Sequence, residues 1–387
     1  MNFEDSEHTN IFEPVTLLCS RFGDDYWLAR DEDGQFPAEF YQAFAADGWL
    51  GICIPKAYGG AGLGIGSAAA MMQAVAQSGA GMSGASSLHM NIFGLNPIVV
   101  FGTEEQKRRM LPPLIAGEEQ ACFGVTEPST GLDTTRITTK AEREGDYYKI
   151  SGQKVWISTA KVAHRILLLA RTTPIDKVEK PAQGLSLFYA KLDRDCVEIR
   201  EIEKMGRKAV DSNEMFFDGM KIPVEDRIGE EGRGFEYILH GFNPERILIA
   251  AEAVGLGIVA LTRAAQYARE RRVFGRPIGQ NQGVQLPLAE SWVELEAARL
   301  LVKEAASKYD AQESCGPAAN AAKYFAAEAG FNACQRAVMT FGGFGYAKEY
   351  HVERYLREIM IPRLAPVSPQ LALCHIAEKI FGLPKSY

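Results

Sequence analysis

Between Ile247 and Leu261 apolar residues fall on nearly every side of a helix (Ile247, Leu248, Ile249, Val254, Leu256, Ile258, Val259, Leu261). Such a pattern predicts a helix surrounded by others in a core. The residues ahead of it read as a helix start, with Asn243 as cap, Pro244 at the first position and Glu245 as a first-turn carboxylate that the helix dipole favours. Arg246, Glu252 and Arg263 interrupt the apolar run before it reaches the ~20 residues a bilayer requires, so no membrane span is expected. If the helix continues to Arg271, Glu245 and Arg271 stand 26 positions apart, about 39 Å at about 1.5 Å per residue. One small site cannot hold both. Either one of them is ordinary surface, or each serves a different site and a neighbouring subunit is needed.

Residues 11–120 carry Ala-rich amphipathic helical patterns, broken at Ile54–Gly60 and around Asn96-Pro97. Thr103-Glu104-Glu105-Gln106 is a capping box at the head of a helix that ends near Pro112-Pro113. The Gly-rich run Gly59–Gly66 matches neither dinucleotide nor Walker phosphate-loop spacing and follows no strand, which makes it a plain loop. Near Gln120 the pattern changes to short β-rich runs: Cys122–Thr126, Tyr147–Ile150, Lys154–Ser158, Ile166–Ala170 and Leu185–Tyr189, with turn residues such as Gly145-Asp146 between them. These end after Ile222-Pro223, and Gly229–Gly234 links to the long helix. Helical patterns resume at 288–309, 316–342 and 350–360, where Ala321, Ala322, Ala326, Ala327 and Ala329 allow close helix approach. The expectation is an α+β multidomain chain: an N-terminal helical domain (1–120), a middle β-barrel or sandwich domain (121–232) and a C-terminal helical domain (233–387).

Composition narrows the function classes. The 387 residues are 47% hydrophobic, ample for a real core, and the net charge of −7 comes from interleaved signs without a basic run, so nucleic acid is not an expected partner. Seven scattered cysteines, with no Cys-x-x-Cys pair, suit a reduced, cytoplasmic protein, and the acidic first seven residues lack the features of a signal peptide. No metal-type cluster, nucleophile elbow or Cys/His pair is present, which leaves chemistry carried by a bound cofactor, and composition alone does not choose which one.

Six segments, in order, resemble the acyl-CoA dehydrogenase family: Ile54-Pro55-x-x-Tyr58-Gly59-Gly60, Gly102–Lys107, Val125-Thr126-Glu127-Pro128-x-x-Gly131-x-Asp133, Gly152-x-Lys154-x-Trp156-Ile157, Arg271-x-x-Phe274-Gly275 and Gly342-Gly343-x-Gly345-Tyr346. The resemblance implies a C-terminal four-helix bundle, FAD, and conversion of an acyl-CoA thioester to the trans-2-enoyl-CoA, as in fatty acid β-oxidation. It also implies transfer of electrons to electron-transferring flavoprotein and a homotetramer. Residue by residue, Phe123, Val125, Thr126, Trp156 and Ser158 match the wall along the flavin ring, although Trp156 alone also reads as a β-core residue. Arg271, Phe274 and Gln282 match groups that reach the FAD of a neighbouring subunit, with Arg271 on the diphosphate, which would resolve the span problem. Gly342 and Gly343 match a close approach to the adenosine part and also suit a helix C-cap. Ser368 and Gln370 match further cofactor contacts.

Departures from the family pattern define the catalytic question. Most relatives place their base in a Tyr-Glu-Gly-Thr-type motif near the C-terminus, where this chain reads Ala365-Pro366-Val367-Ser368. A minority, the long-chain and isovaleryl types, carry it on the long helix at the position of Glu245, so the resemblance makes Glu245 the base and Arg246 a substrate contact. Pro366 removes a backbone N–H that relatives use on the thioester carbonyl. Leu132 replaces a serine at the acyl-CoA site, and Met339 a glutamine near the adenine. These departures also suit a flavin-binding but silent subunit of a heteromer, and the fold can serve flavin monooxygenases or oxidases.

Overall fold

The computed structural model describes residues 9–386; the acidic start lies outside them. Seven helices come first: α1 (Thr9–Cys19), α2 (Asp24–Asp33), α3 (Ala38–Ala46), α4 (Ile65–Val75), α5 (Gly81–Phe93), α6 (Asn96–Phe101) and α7 (Glu104–Ile115). The capping box at the head of α7 forms, with Thr103 and Gln106 each bonding the other's backbone. Asn96-Pro97 opens a helix, the proline sitting where its missing N–H is harmless. The run Gly59–Gly66 folds back on residues 51–55 through backbone hydrogen bonds such as Ala61 N to Gly51 O at 3.0 Å and Gly62 N to Ile54 O at 2.9 Å.

Two glycines in this part make room for distant carboxylates. Gly64 precedes α4 and supplies no capping side chain; Asp310 instead accepts from Ile65 N at 2.8 Å and Gly66 N at 2.9 Å. Glu358 likewise accepts from Met82 N at 2.7 Å and Ser83 N at 3.2 Å in the first turn of α5. A Cβ at Gly64 would lie 2.4 Å from an Asp310 oxygen, and one at Gly81, whose φ is +62°, 2.5 Å from a Glu358 oxygen. Negative charge from the far end of the chain thus satisfies helix N-termini that local residues leave open.

The middle of the chain forms β1 (Ala121–Gly124), β2 (Lys140–Glu144), β3 (Tyr147–Ser158), β4 (Arg165–Arg171), β5 (Leu185–Lys191), β6 (Val197–Glu201), β7 (Ser212–Pro223) and β8 (Arg227–Ile228), in the order β6-β7-β3-β2-β4-β5-β8 with β1 beside β4. The two runs expected at Tyr147–Ile150 and Lys154–Ser158 are one strand carrying two register shifts against β7. Strand β2 is almost wholly polar, β6 alternates polar and apolar residues and β7 mixes the two, so none carries the uniform apolar runs that marked the others. The strand period of two divides β4 between two cores: Ile166 and Leu168 pack inside the β layer, Leu167 and Leu169 face the helices.

The C-terminal part holds α8 (Gly234–Glu270), the small hairpin β9 (Arg272–Val273) and β10 (Arg276–Pro277), then α9 (Gln282–Asp310), α10 (Gly316–Phe341), α11 (Val352–Glu358), α12 (Met360–Leu364) and α13 (Pro369–Phe381). Helix α8 begins at Gly234, ten residues before the expected first position at Pro244, so Asn243 is not its cap, Pro244 lies inside it and Glu245 is outside the first turn. The dipole argument for Glu245 therefore falls. The misreading has a physical cause: Asn-Pro-Glu suits a helix start, but the interior proline is tolerated because the carbonyl it orphans, that of His240, accepts from Asn96 Nδ2 at 3.0 Å. Helix α8 is long and apolar enough to cross a membrane by length and composition, yet 89% of its apolar window is buried inside the protein.

Candidate active site

The site is built from the β layer upward. Between Lys154 and Ile157 the pairing of β3 with β7 slips, and Trp156 is left 60% exposed at φ +62°. A bulky residue in the left-handed region is strained, and a strained, exposed indole on a strand is a common mark of a binding surface. The bulge is pinned from beneath by Lys154, fully buried, whose Nζ donates to Val125 O at 2.9 Å and pairs with Glu127 at 3.0 Å. Burial lowers the Lys154 pKa to about 8 against the pull of Glu127. Burial alone would raise the Glu127 carboxyl, but Lys154, Thr138 and Thr139 hold it down at about 2. Thr126 O accepts from Val155 N at 2.9 Å, so the segment after β1 and the bulge form one surface. Phe123, partly buried, meets Phe93 of α5 edge-on at 5.3 Å, while Val125 is buried. An exposed aromatic face beside the hydroxyls of Thr126 and Ser158 fits a flavin ring, which presents a flat apolar body and a polar edge.

Helices α5 and α8 face each other beyond this wall. Ser86 and His89 lie three apart on α5 and Glu245 and Glu252 seven apart on α8, so each pair shares a helix face. His89 Nδ1 contacts Glu252 Oε1 and joins the two faces. Burial alone would lower the His89 pKa, but the charges of Glu252 and Glu245 raise it. Arg207, on the link between β6 and β7, donates to Ser158 Oγ at 3.1 Å and Ser86 Oγ at 3.2 Å.

Glu245 is partly buried, two turns before Glu252 on α8. Loss of water pushes its carboxyl up to about 7, against the pull of the His89, Arg246 and Lys323 cations. Arg246 donates to Asn243 Oδ1 at 3.0 Å, which braces the same turn. Lys323 of α10 is fully buried and donates to Val367 O, tying down the segment that stands in place of the usual C-terminal base motif. Burial and the Arg246 charge lower its pKa to about 8. In that segment Ala365 N donates to Ile361 O at 2.9 Å, and Ser368 caps α13 by accepting from Leu371 N at 3.3 Å. A cavity of about 500 Å³ adjoins the Glu245 turn, lined by His240, Asn243, Cys315, His375 and Lys379 among others.

The remaining sequence candidates are not gathered here. Arg271 caps the C-terminal end of α8 and lies over the Phe344 ring at 5.6 Å, at the other end of that helix from Glu245. Phe274 is 100% exposed at φ +53°, and Gln282 opens α9 on the surface. Gly342 is the C-cap of α10, and neither it nor Gly343 has an atom within 4 Å of a built Cβ. Leu132 and Gln370 are exposed. Among the described residues no group of three or more His, Cys, Asp and Glu is placed to hold a metal ion.

Sequence reasoning assigned no role to His89, Lys323, Lys154, Glu127 or Arg207. A signal existed for His89, since Ser86, Ser87, His89 and Asn91 break an otherwise apolar helix. None existed for Arg207, which meets Ser86 across 121 positions.

Comparison with known proteins identifies the family. Models of the N-terminal, middle and C-terminal domains of acyl-CoA dehydrogenase match residues 5–118, 122–220 and 232–378. An acyl-CoA dehydrogenase of Mycobacterium bovis is 33% identical over 390 residues, covering 99% of this chain and 98% of the relative. The CarC subunit of a caffeyl-CoA reductase-Etf complex of Acetobacterium woodii is 34% identical over 335 residues, 86% of each chain. The butyryl-CoA dehydrogenase structure of Megasphaera elsdenii superposes with a TM-score of 0.90 at 28% identity, covering 98% of this chain and 100% of that one. With three family models spanning nearly its whole length, and a strained indole and hydroxyl wall suited to FAD, this chain belongs to the acyl-CoA dehydrogenases, FAD-dependent oxidoreductases acting on acyl-CoA.

Proposed function

We propose that the protein dehydrogenates an acyl-CoA thioester to the trans-2-enoyl-CoA with Glu245 as the base. The observation that carries this reading is the Glu245 carboxyl, raised to about 7 by burial against the pull of His89, Arg246 and Lys323. A base with a pKa near working pH combines availability with strength. The α-proton passes to a Glu245 carboxylate oxygen, the β-hydrogen leaves with its electron pair, and the α,β double bond forms. When bound against Thr126, Trp156 and Ser158, FAD supplies the acceptor for that hydride. Lys323 and Arg246 orient the turn and the facing backbone, and the cavity beside Asn243 takes the CoA portion, a reading supported by the Lys379 cation on its wall.

Electrons then pass to electron-transferring flavoprotein, as the relative from a reductase-Etf complex suggests. Assembly as a homotetramer is supported by the outer face of α9, where Leu286, Val293 and Leu300 are exposed at seven-residue spacing. Such an assembly would bring Arg271, Phe274 and Gln282 to a neighbour's FAD. The seven free thiols support a reducing, cytoplasmic setting.

The test is anaerobic titration of Glu245→Gln with acyl-CoA. This variant should keep FAD and bind the thioester, while flavin reduction falls by roughly 10²–10⁴. Reduction at the wild-type rate would move the base elsewhere.

A further inference from the structure

Six non-glycine residues among those described have positive φ, and three of them converge on Ser158. Trp156 and Thr159 lie beside it on the chain at φ +62° each, and Arg207, at φ +55°, bonds its hydroxyl. Such conformations persist only where the surroundings over-determine them, and they gather at functional sites. Here Asn213 Nδ2 donates to Ile157 O at 2.9 Å, Thr159 Oγ1 donates to Ser158 O at 2.6 Å and Thr159 N donates to Asp211 O at 3.3 Å. The backbone of Ser158 is therefore fixed from both sides.

The Ser158 hydroxyl is fixed as well, and with a sign. Arg207 Nη2 donates to Ser158 Oγ at 3.1 Å and to Ser212 Oγ at 3.2 Å, and Nη1 donates to Ser86 Oγ at 3.2 Å. A guanidinium has no acceptor, so Ser158 Oγ can only receive from it. The one hydrogen of that hydroxyl must point elsewhere, and among the described residues none takes it. Ser158 is partly exposed two positions beyond the exposed Trp156, with Ile157 between them buried, so its open side is that of the proposed flavin wall. The charge of Arg207 is itself met by Glu252, Glu358 and Asp211. What reaches the wall is thus the direction of a hydrogen bond, strengthened because a hydroxyl that accepts from a cation is a better donor.

We propose that Arg207 is a positioning residue that holds the Ser158 hydroxyl as a hydrogen-bond donor toward the polar edge of the flavin, and so raises the reduction potential of bound FAD. The proposal rests on the reading of Thr126, Trp156 and Ser158 as the flavin wall. A donor already aimed at the edge where reduction adds negative charge stabilises the reduced form more than the oxidised one. A serine free to rotate could present a lone pair there instead and lose that preference.

The test measures the midpoint potential of bound FAD and its retention in the purified holoprotein, neither of which needs substrate. Arg207→Met removes the donor and keeps much of the volume. The equilibrium between reduced and oxidised flavin should shift at least tenfold toward the oxidised form, about 30 mV for a two-electron couple. Ser158→Ala should give a shift of similar size, and adding Arg207→Met to it should change nothing further, because the arginine acts through that hydroxyl. Arg207→Lys, still a donor only, should return part of the loss. A wild-type potential in Arg207→Met, or shifts that add in the double variant, overturns the positioning role. A wild-type potential together with wild-type FAD retention in Ser158→Ala overturns the flavin wall on which it rests. Should Arg207→Met fail to fold, Arg207→Gln makes the same comparison, since an amide accepts as well as donates and no longer fixes the sign of the bond.

Discussion

Asn96 Nδ2 donates to the His240 carbonyl at 3.0 Å, and that carbonyl is the one Pro244 leaves without a partner inside α8. The bond stands in for the missing helical hydrogen bond one turn before Glu245, so the direction of the proposed base depends on a residue from another helix. Replacing Asn96 with Ala should destabilise the protein by about 0.5–1.5 kcal/mol. Flavin reduction should slow several-fold while FAD content is unchanged. Denaturant unfolding and single-turnover reduction measure the two effects, and an unaltered reduction rate would separate Asn96 from the geometry of Glu245.

The raised Glu245 pKa sets a pH dependence with a definite sign. The base must be ionised, so kcat/KM for flavin reduction should rise with pH and reach half its plateau near 7. The folded value lies above the ordinary 4.5 of a free carboxyl, so stability linked to this group is full below 4.5 and is lost as pH rises through about 7. Glu245→Gln should therefore melt above the wild type at pH 8, with the gap closing by pH 4.5. A gap that widened toward acid would contradict the assignment.

Trp156 is held in the left-handed region at the slip between β3 and β7, with its indole turned outward. Glycine adopts φ +62° freely, so Trp156→Gly should give an apoprotein about as stable as the wild type despite the lost side chain. FAD affinity should fall more than tenfold. Wild-type FAD retention in this variant would leave the exposed indole without a role.

The Lys154–Glu127 pair should behave as a buried ion pair. Lys154→Met leaves Glu127 without its cation and should destabilise by about 3–5 kcal/mol, whereas Lys154→Met with Glu127→Gln should recover part of that loss. Since Glu127 is held at about 2, its contribution is present above its ordinary 4.5 and disappears as pH falls toward 2. Acid unfolding of the double variant should accordingly be shallower than that of the wild type over this range.

What the chain revealed in advance followed from the range of the interactions. The capping box of α7 and the apolar strands β4 and β5 were readable because each pattern is complete within a dozen residues. The start of α8 was misread because an interior Pro244 looks the same as one at a helix start until Asn96, far away in sequence, is seen to satisfy the orphaned carbonyl. Strands β6 and β7 escaped because one face is exposed and their polar residues dilute the apolar signal. Within the site, Glu245 and Trp156 could be picked out by resemblance. Arg207 and Lys323 act through contacts across many positions, which no local pattern encodes.

Asp310 and Glu358, which close the first turns of α4 and α5, are made long after those helices leave the ribosome. Until then α4 and α5 emerge with open N-termini, Gly64 standing at the cap of the first and Ala80 at that of the second. The first third of the chain can collapse during synthesis but cannot lock. Completion waits for the final helices, so boundaries visible in sequence do not divide the molecule into parts that fold in turn.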